Sequence, residues 1–443
     1  MEKLSCQEQM KSYKYNNQLE ISNWRMNVKH QQIVIYPLLP IIIGIVNCLI
    51  SLTISAQVIS LDSILNRIER ENRMLRMYDE QILAMNKNAE MAKSWMPPTL
   101  STGPWQAPYK SFTDGMWMIS AEQMIPNPAK QKLNYNYMKS MAPVEKFNQQ
   151  ARKNEMFAMA KQLYYEWIIL KKKYEALVQT DSLLNYTVRI AELRYSYNKE
   201  KLNTIYKAKA DLYELRNMIT MVTGDIKMKN VELNTLMNID KSTIFDVDTL
   251  IQVKPYEFLL PDTLTIASSR SDIRQFDASY NLIRIQQEFE KSKRLPEFGI
   301  SLTHMQALGD FPNQFSAMGM VTIPIVPWSS KEYQSKIRGL DNEANAIRYQ
   351  QQALINETTG EIASIQTQLR SFKLQLSNYS ENIIPTYIKS YQSSMNAYEQ
   401  NTEDLFVVLD GLKMYRMALM TKFELLKTIL KLQIDYEKEM EIR

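Results

Sequence analysis

The side chains of this sequence best suited to chemistry are its methionines. There are 27 in 443 residues. Six fall in two short stretches bounded by proline and glycine: Met116, Met118 and Met124 in one, and Met305, Met318 and Met320 in the other. Thioethers are soft, uncharged donors that favour ions such as Cu(I) over Mg2+ or Ca2+. Met116, Met118, Met305, Met318 and Met320 are therefore the candidates for soft-metal contacts, although filling space in strands and helices is the ordinary use of this side chain. His304 stands beside Met305, and one imidazole next to one thioether reads as a strand residue rather than a ligand set. No phosphate-binding glycine loop, no Cys/His cluster and no Ser–His–Asp combination is present. The expectation is a non-enzymatic protein that carries no cofactor.

Composition narrows the class. The net charge is +5, with both signs interspersed along the chain, so a nucleic-acid partner is not expected. Only 10 glycines occur, a composition that favours long helices. A mean hydropathy of −0.35 argues against a bundle of membrane helices. Residues 33–56 form an uncharged apolar run behind Lys29 and end in Ser55-Ala56. That is the layout of an export signal. Residues 1–56 are read as that signal, with Met26 as the expected initiator. Both cysteines, Cys6 and Cys48, precede the mature segment, which leaves it without disulfides or thiolate metal sites.

The elements that would position the methionines follow from periodicity. Residues 59–95 read as one amphipathic helix stopped by Pro97-Pro98. Residues 99–125 read as a β-hairpin with turn signals at Gly103-Pro104, Pro108 and Asp114-Gly115. Helix then runs over 129–197, with a break expected at Pro143. Its apolar series is Leu163, Trp167, Leu170, Tyr174, Leu177, Leu184, Val188, Ala191 and Tyr195, spaced 4-3-4-3 around Asp181. Ile205, Ala208, Leu212, Leu215, Ile219, Val222 and Ile226 continue the pattern. A sustained 3.5-residue period marks a supercoiled seam, and the short join Tyr195–Leu202 makes it an antiparallel helical hairpin. A helix of about 50 residues reaches roughly 75 Å, a rod rather than a globule. Residues 238–262 read as an irregular connector with a short strand in Ile244–Val253, and helix returns from 263 to Arg294 with a break at SSRSD.

The pattern then recurs. A second hairpin spans about 297–325, again closed by prolines (Pro324, Pro327), and helix resumes at Ser329. Tyr195 and Tyr398 stand 203 residues apart, as do Leu202 and Leu405. Seam residues Ile205, Ala208, Leu212, Leu215, Val222, Ile226 and Leu233 fall on Val408, Gly411, Tyr415, Ala418, Leu425, Ile429 and Tyr436 at the same offset, while Ile219 departs and falls on Lys422. The chain therefore reads as two repeats, 57–255 and 256–443. Four strands cannot close a barrel, and open edges need partners. Alternating strands with Trp105, Tyr109, Phe112, Trp117, Phe298, Phe311, Phe315 and Trp328 in or beside them suggest a barrel shared between subunits in an outer membrane. Three copies of four strands would give twelve. The alternative is a structural coiled-coil protein of the cell envelope.

These stretches carry a resemblance. The junctions KRLPEFGISL and TIPIVPWSSK, the upstream SSRSDIRQFDASYNLI, and the tip segments AELRYSYNKEKLNTIYKAKADL and MNAYEQNTEDLFVVLDGLKMY resemble, across 57–443, the TolC-type outer-membrane efflux family. The hairpin style resembles its heavy-metal, copper-type branch. The resemblance implies an α+β, mainly α fold: a homotrimer whose outer-membrane β-barrel continues into a periplasmic coiled-coil tunnel. It implies an efflux channel, a passive conduit, and its partners: a periplasmic adaptor, an inner-membrane pump of RND type, and outer-membrane lipid. It places adaptor docking at the tips, on Tyr195, Asn198, Leu202, Tyr398, Asn401 and Leu405. Asn198 and Asn401 stand where the family has glycine, and asparagine tolerates the left-handed backbone such a turn needs. Of the family's two gating aspartates only the second is matched, by Asp410; Val407 occupies the first.

Overall fold

The computed structural model describes residues 58–259 and 261–443, which fall in one compact unit. The expected export signal, with Met26, Cys6 and Cys48, lies outside the described residues. In chain order the elements are β1 (Val58–Ile59), α1 (Leu61–Glu71), α2 (Arg73–Ala89), β2 (Thr99–Trp105), β3 (Met116–Ile125), α3 (Pro128–Lys139), α4 (Met141–Ser196), α5 (Leu202–Leu236), β4 (Asp246–Val247), α6 (Thr263–Ser269), α7 (Ser271–Ser292), β5 (Glu297–Ala307), β6 (Gln314–Thr322), α8 (Pro327–Asn378), α9 (Ile384–Glu399) and α10 (Leu405–Glu439). The 56 residues of α4 span about 84 Å at the usual helical rise.

The heptad seam is real where four helices meet. Leu177, Leu184, Val188 and Ala191 of α4 bury against Ile205, Ala208, Leu212 and Leu215 of α5, together with Tyr391, Met395 and Tyr398 of α9 and Leu405, Val408, Leu409 and Leu412 of α10. Two expected seam members depart: Tyr174 and Tyr195 are exposed. Further along α4 the buried set widens to Ala160, Tyr164, Trp167, Ile168 and Ile169. There α1, α2 and the connector also pack on α4, so a single stripe no longer suffices.

Three helix boundaries differ from the sequence reading, each for a local reason. The helix expected over 59–95 is split at Asn72, whose Oδ1 accepts from the Met74 amide at 2.9 Å while Nδ2 donates to the Leu236 carbonyl at 2.9 Å. Its last turn ends at Lys93. The break expected at Pro143 comes at Ser140 instead. Pro143 sits in the first turn of α4, where no intrahelical donor is missed. The second long helix begins at Pro327 rather than Ser329, again with proline in the first turn. The break in SSRSD falls at Arg270, between α6 and α7. Between α8 and α9 a π-turn, Tyr379–Ile383, precedes Pro385, whose missing N–H removes an ordinary helical bond. The connector strand is only Asp246–Val247, paired in parallel with Val58–Ile59.

The four remaining strands form one antiparallel sheet in the order β2-β3-β5-β6. The two sequence hairpins are thus joined through β3 and β5, with Met118 opposite Met305 and Ser120 opposite Thr303. β2 and β6 are left at the edges.

Candidate functional site

Two regions could act: the sheet at one end and the pair of helical turns at the other. Register assigns the sheet's faces. One carries Leu100, Trp117, Ile119, Ala121, Phe298, Ile300, Leu302, His304, Phe315 and Val321, and its large apolar side chains are exposed. The other carries Ser101, Ser120, Glu122, Ser301, Thr303 and Ser316 together with all six hairpin methionines. Ser120, Ser301 and Thr303 are buried on it, and the Ser120 and Thr303 hydroxyls lie 2.9 Å apart. Apolar groups outward and hydroxyls inward reverse the arrangement expected of a sheet in water. The alternation places His304 on the apolar face and Met305 on the polar one, so the sequence neighbours do not share a site. Among the described residues no group of three or more His, Cys, Asp or Glu side chains could hold a metal ion, and no helix is long and apolar enough to cross a membrane.

At the far end, α4 turns into α5 and α9 into α10 through matching caps. Asn198 has φ 57° and Asn401 φ 61°. The Lys199 amide donates to the Arg194 carbonyl at 2.9 Å, and the Thr402 amide to the Ala397 carbonyl at 3.0 Å. The Asn198 and Asn401 amides donate to the Tyr195 and Tyr398 carbonyls. These are Schellman caps with asparagine at the left-handed position. The other ends of α5 and α10 close alike, with Asn238 and Glu441 at φ 55° and 49°.

The turns differ in their tyrosines. Tyr398 is buried, its ring under the Arg194 guanidinium at 4.2 Å, and its hydroxyl donates to Glu200 Oε2 at 2.6 Å. Arg194 also donates to the Tyr398 carbonyl. Burial, then the hydrogen bond to the Glu200 carboxylate, pushes the Tyr398 phenol well above the ordinary tyrosine range. Tyr195, the counterpart, is exposed. Leu405 is fully buried and Leu202 exposed. Of the six tip residues singled out in the sequence, Tyr195, Asn198, Leu202 and Asn401 are therefore on the surface, and Tyr398 and Leu405 are inside the tip. Asp410 is exposed on α10 between the buried Leu409 and Leu412, and Val407 is exposed one turn earlier.

Sequence reasoning missed the ion network in the middle of the rod. Lys161 of α4 donates to Glu437 Oε2 at 2.6 Å, and both side chains are buried. Lys254 and the Tyr256 hydroxyl each reach Glu437 Oε1 at 2.8 Å. Burial alone would raise the Glu437 pKa, but the hydrogen bonds from Lys161 and Lys254 outweigh it and hold the carboxyl below its ordinary value. Against burial, the bond to Glu437 raises the Lys254 pKa. Burial lifts the Tyr256 phenol to about 12. No local pattern announces partners this far apart in the chain.

No protein-family model matches the sequence, and no curated protein matches it significantly. Solved structures do. The chain superposes on CusC with a TM-score of 0.71 at 13% identity, over 88% of this chain and 95% of that one. It matches the outer membrane protein VceC of Vibrio cholerae at 0.68 and 13%, over 86% and 95%. The outer-membrane channel OprN matches at 0.70 and 11%, over 86% and 89%. At such identities the likeness is one of architecture, and this chain has the fold of the TolC-type outer-membrane channels.

Proposed function

We propose that this protein is a TolC-type efflux channel of the outer membrane, a passive conduit with no enzymatic step. The observation that carries the reading is the sheet. It has an exposed apolar face, a hydroxyl-lined opposite face and two unpaired edges. Strands β3, β5 and β6, of 10, 11 and 9 residues, have the length a tilted membrane strand needs. Pairing β2 of one copy with β6 of the next, three times, closes a twelve-stranded barrel and removes every edge. Exposed Trp95, Phe298 and Trp328 near one end of the strands, and Tyr109, Phe311 and Phe315 near the other, suit the two lipid interfaces. The long helices then form the periplasmic tunnel.

The matching caps, 203 residues apart in two pairs, support reading the chain as an internal duplication, 57–255 and 256–443, behind an export signal at 1–56. The exposed tip residues Tyr195, Asn198, Leu202 and Asn401 are the surface offered to a periplasmic adaptor, which would couple the channel to an inner-membrane pump of RND type. Three copies of Asp410 around the axis would form a cation-attracting ring. The cargo includes heavy-metal ions such as copper, a reading supported by the thioether content of the hairpins.

The test is outer-membrane fractionation followed by planar-bilayer recording. A heat-sensitive trimer with discrete conductance is expected; a water-soluble monomer without conductance would overturn the channel reading and favour a structural coiled-coil protein. Loss of copper and silver tolerance on deleting the gene is the outcome expected for metal cargo.

A further inference from the structure

The pairing register sorts the methionines in a way the sequence alone does not display. All six lie on the hydroxyl-bearing face, and the opposite face of the four strands carries none. They also form two tiers. In the first, Met118 lies directly across from Met305, with Met116 next along β3 on the same face. In the second, Met124 and Met320 stand on either side of Gly299 in one row, with Met318 in the adjoining row opposite Ser301. Between the tiers runs a row of hydroxyls only, Ser101, Ser120, Thr303 and Ser316.

Gly299 explains how the second tier can form. A methyl group at its Cα would lie 2.6 Å from Met124 Sδ and 3.1 Å from Met320 Cε. Both thioether ends fold over the same bare stretch of backbone, and a larger residue there would displace at least the Met124 sulfur from this position. Six methionines drawn to one face, two of them converging on a glycine, go beyond what filling irregular gaps requires.

We propose that the lumen face of the barrel binds soft monovalent cations, Cu(I) or Ag(I), at two thioether tiers, Met118–Met305 and Met124–Met320. The proposal rests on the channel reading above, because this face becomes a lumen only when the barrel closes. Neutral thioethers select soft ions over the hard cations of the medium. They release no proton on binding, so uptake is insensitive to pH over the neutral range. A few neutral donors per tier also hold an ion without trapping it, which conduction through successive sites requires.

The test uses the purified full-length protein in detergent, titrated with Ag(I) in chloride-free buffer. Saturable silver binding is expected. M124L/M320L should lose the second tier, and M118L/M305L the first; leucine keeps the volume of methionine, and circular dichroism reports whether each variant is folded. Affinity at the altered tier should fall by roughly tenfold or more, at least the loss seen when only supporting groups around a metal are removed. Gly299→Ala, which removes no donor, should weaken the second tier alone. Equal silver uptake by the wild type and the folded quadruple leucine variant would overturn the proposal. Absence of a trimer and of conductance in the wild-type protein would instead overturn the channel reading, and the lumen assignment with it.

Discussion

The Tyr398 hydroxyl donates to the Glu200 carboxylate at 2.6 Å, tying the second helical turn to the first across 198 residues of chain. Arg194 stacks on the same ring at 4.2 Å, so one buried side chain of the α9–α10 turn is held from both sides by the α4–α5 turn. Tyr398→Phe keeps the stack and removes the hydrogen bond. The tip should be weakened by roughly 1–2 kcal/mol, read as faster amide exchange at 194–205 and 398–409, with raised conductance if the closed tips restrict the channel. Tyr195→Phe, at the exposed counterpart, should change neither. The raised Tyr398 pKa keeps the phenol protonated, and the link intact, through neutral and moderately alkaline pH.

The Glu437 network should make stability depend on acid. Its carboxyl is held below the ordinary value, so its contribution is complete above the unfolded-state pKa and is lost as pH falls from there through the folded-state value. Glu437→Ala leaves Lys161 buried without its carboxylate, at a cost of roughly 3–5 kcal/mol. Thermal unfolding between pH 7 and pH 3 should show the variant less stable at pH 7 and the gap narrowing toward pH 3.

The caps at Asn198 and Asn401 should tolerate glycine and resist alanine. At φ near 60° a Cβ without a compensating side-chain hydrogen bond costs about 1–2 kcal/mol. Melting of the helical signal should fall in Asn401→Ala and be restored in Asn401→Gly.

The two faces of the sheet should respond oppositely to charge. Leu302→Arg puts a cation on the apolar face near the middle of β5, where lipid would exact roughly 2–4 kcal/mol. Ser316→Arg, on the hydroxyl face, should be tolerated. Heat stability of the proposed trimer on unheated gels separates the two.

Asp410→Ala should lower cation selectivity while leaving the assembly intact, because Asp410 is exposed and has no ion-pair partner among the described residues. Reversal potentials in a KCl gradient measure this. Unchanged selectivity would remove Asp410 from the ion pathway.

Much of this architecture could be read from residue order. The heptad of Leu177, Leu184, Val188 and Ala191 gave α4 and its seam, because periodicity is a local property of one helix. Pro97 and Pro98 before the first hairpin, and Pro324 and Pro327 after the second, marked these ends for the same reason, and the family's tip glycines pointed to left-handed turns at Asn198 and Asn401. The long exposed helices were legible, but the wider burial around Trp167 was not, since it depends on helices and a connector that pack there from elsewhere in the chain.

By itself, then, the sequence determined which segments are helix, hairpin and turn, because each depends on interactions between near neighbours. Only the tertiary structure decided which residues those segments bring together. The joining of β3 to β5 set the six methionines on one face, Tyr398 was buried and Tyr195 left exposed in otherwise matching turns, and Lys161 met Glu437 across 276 residues. Each of these relations follows from the register and packing of distant segments, which residue type and spacing along the chain do not encode locally.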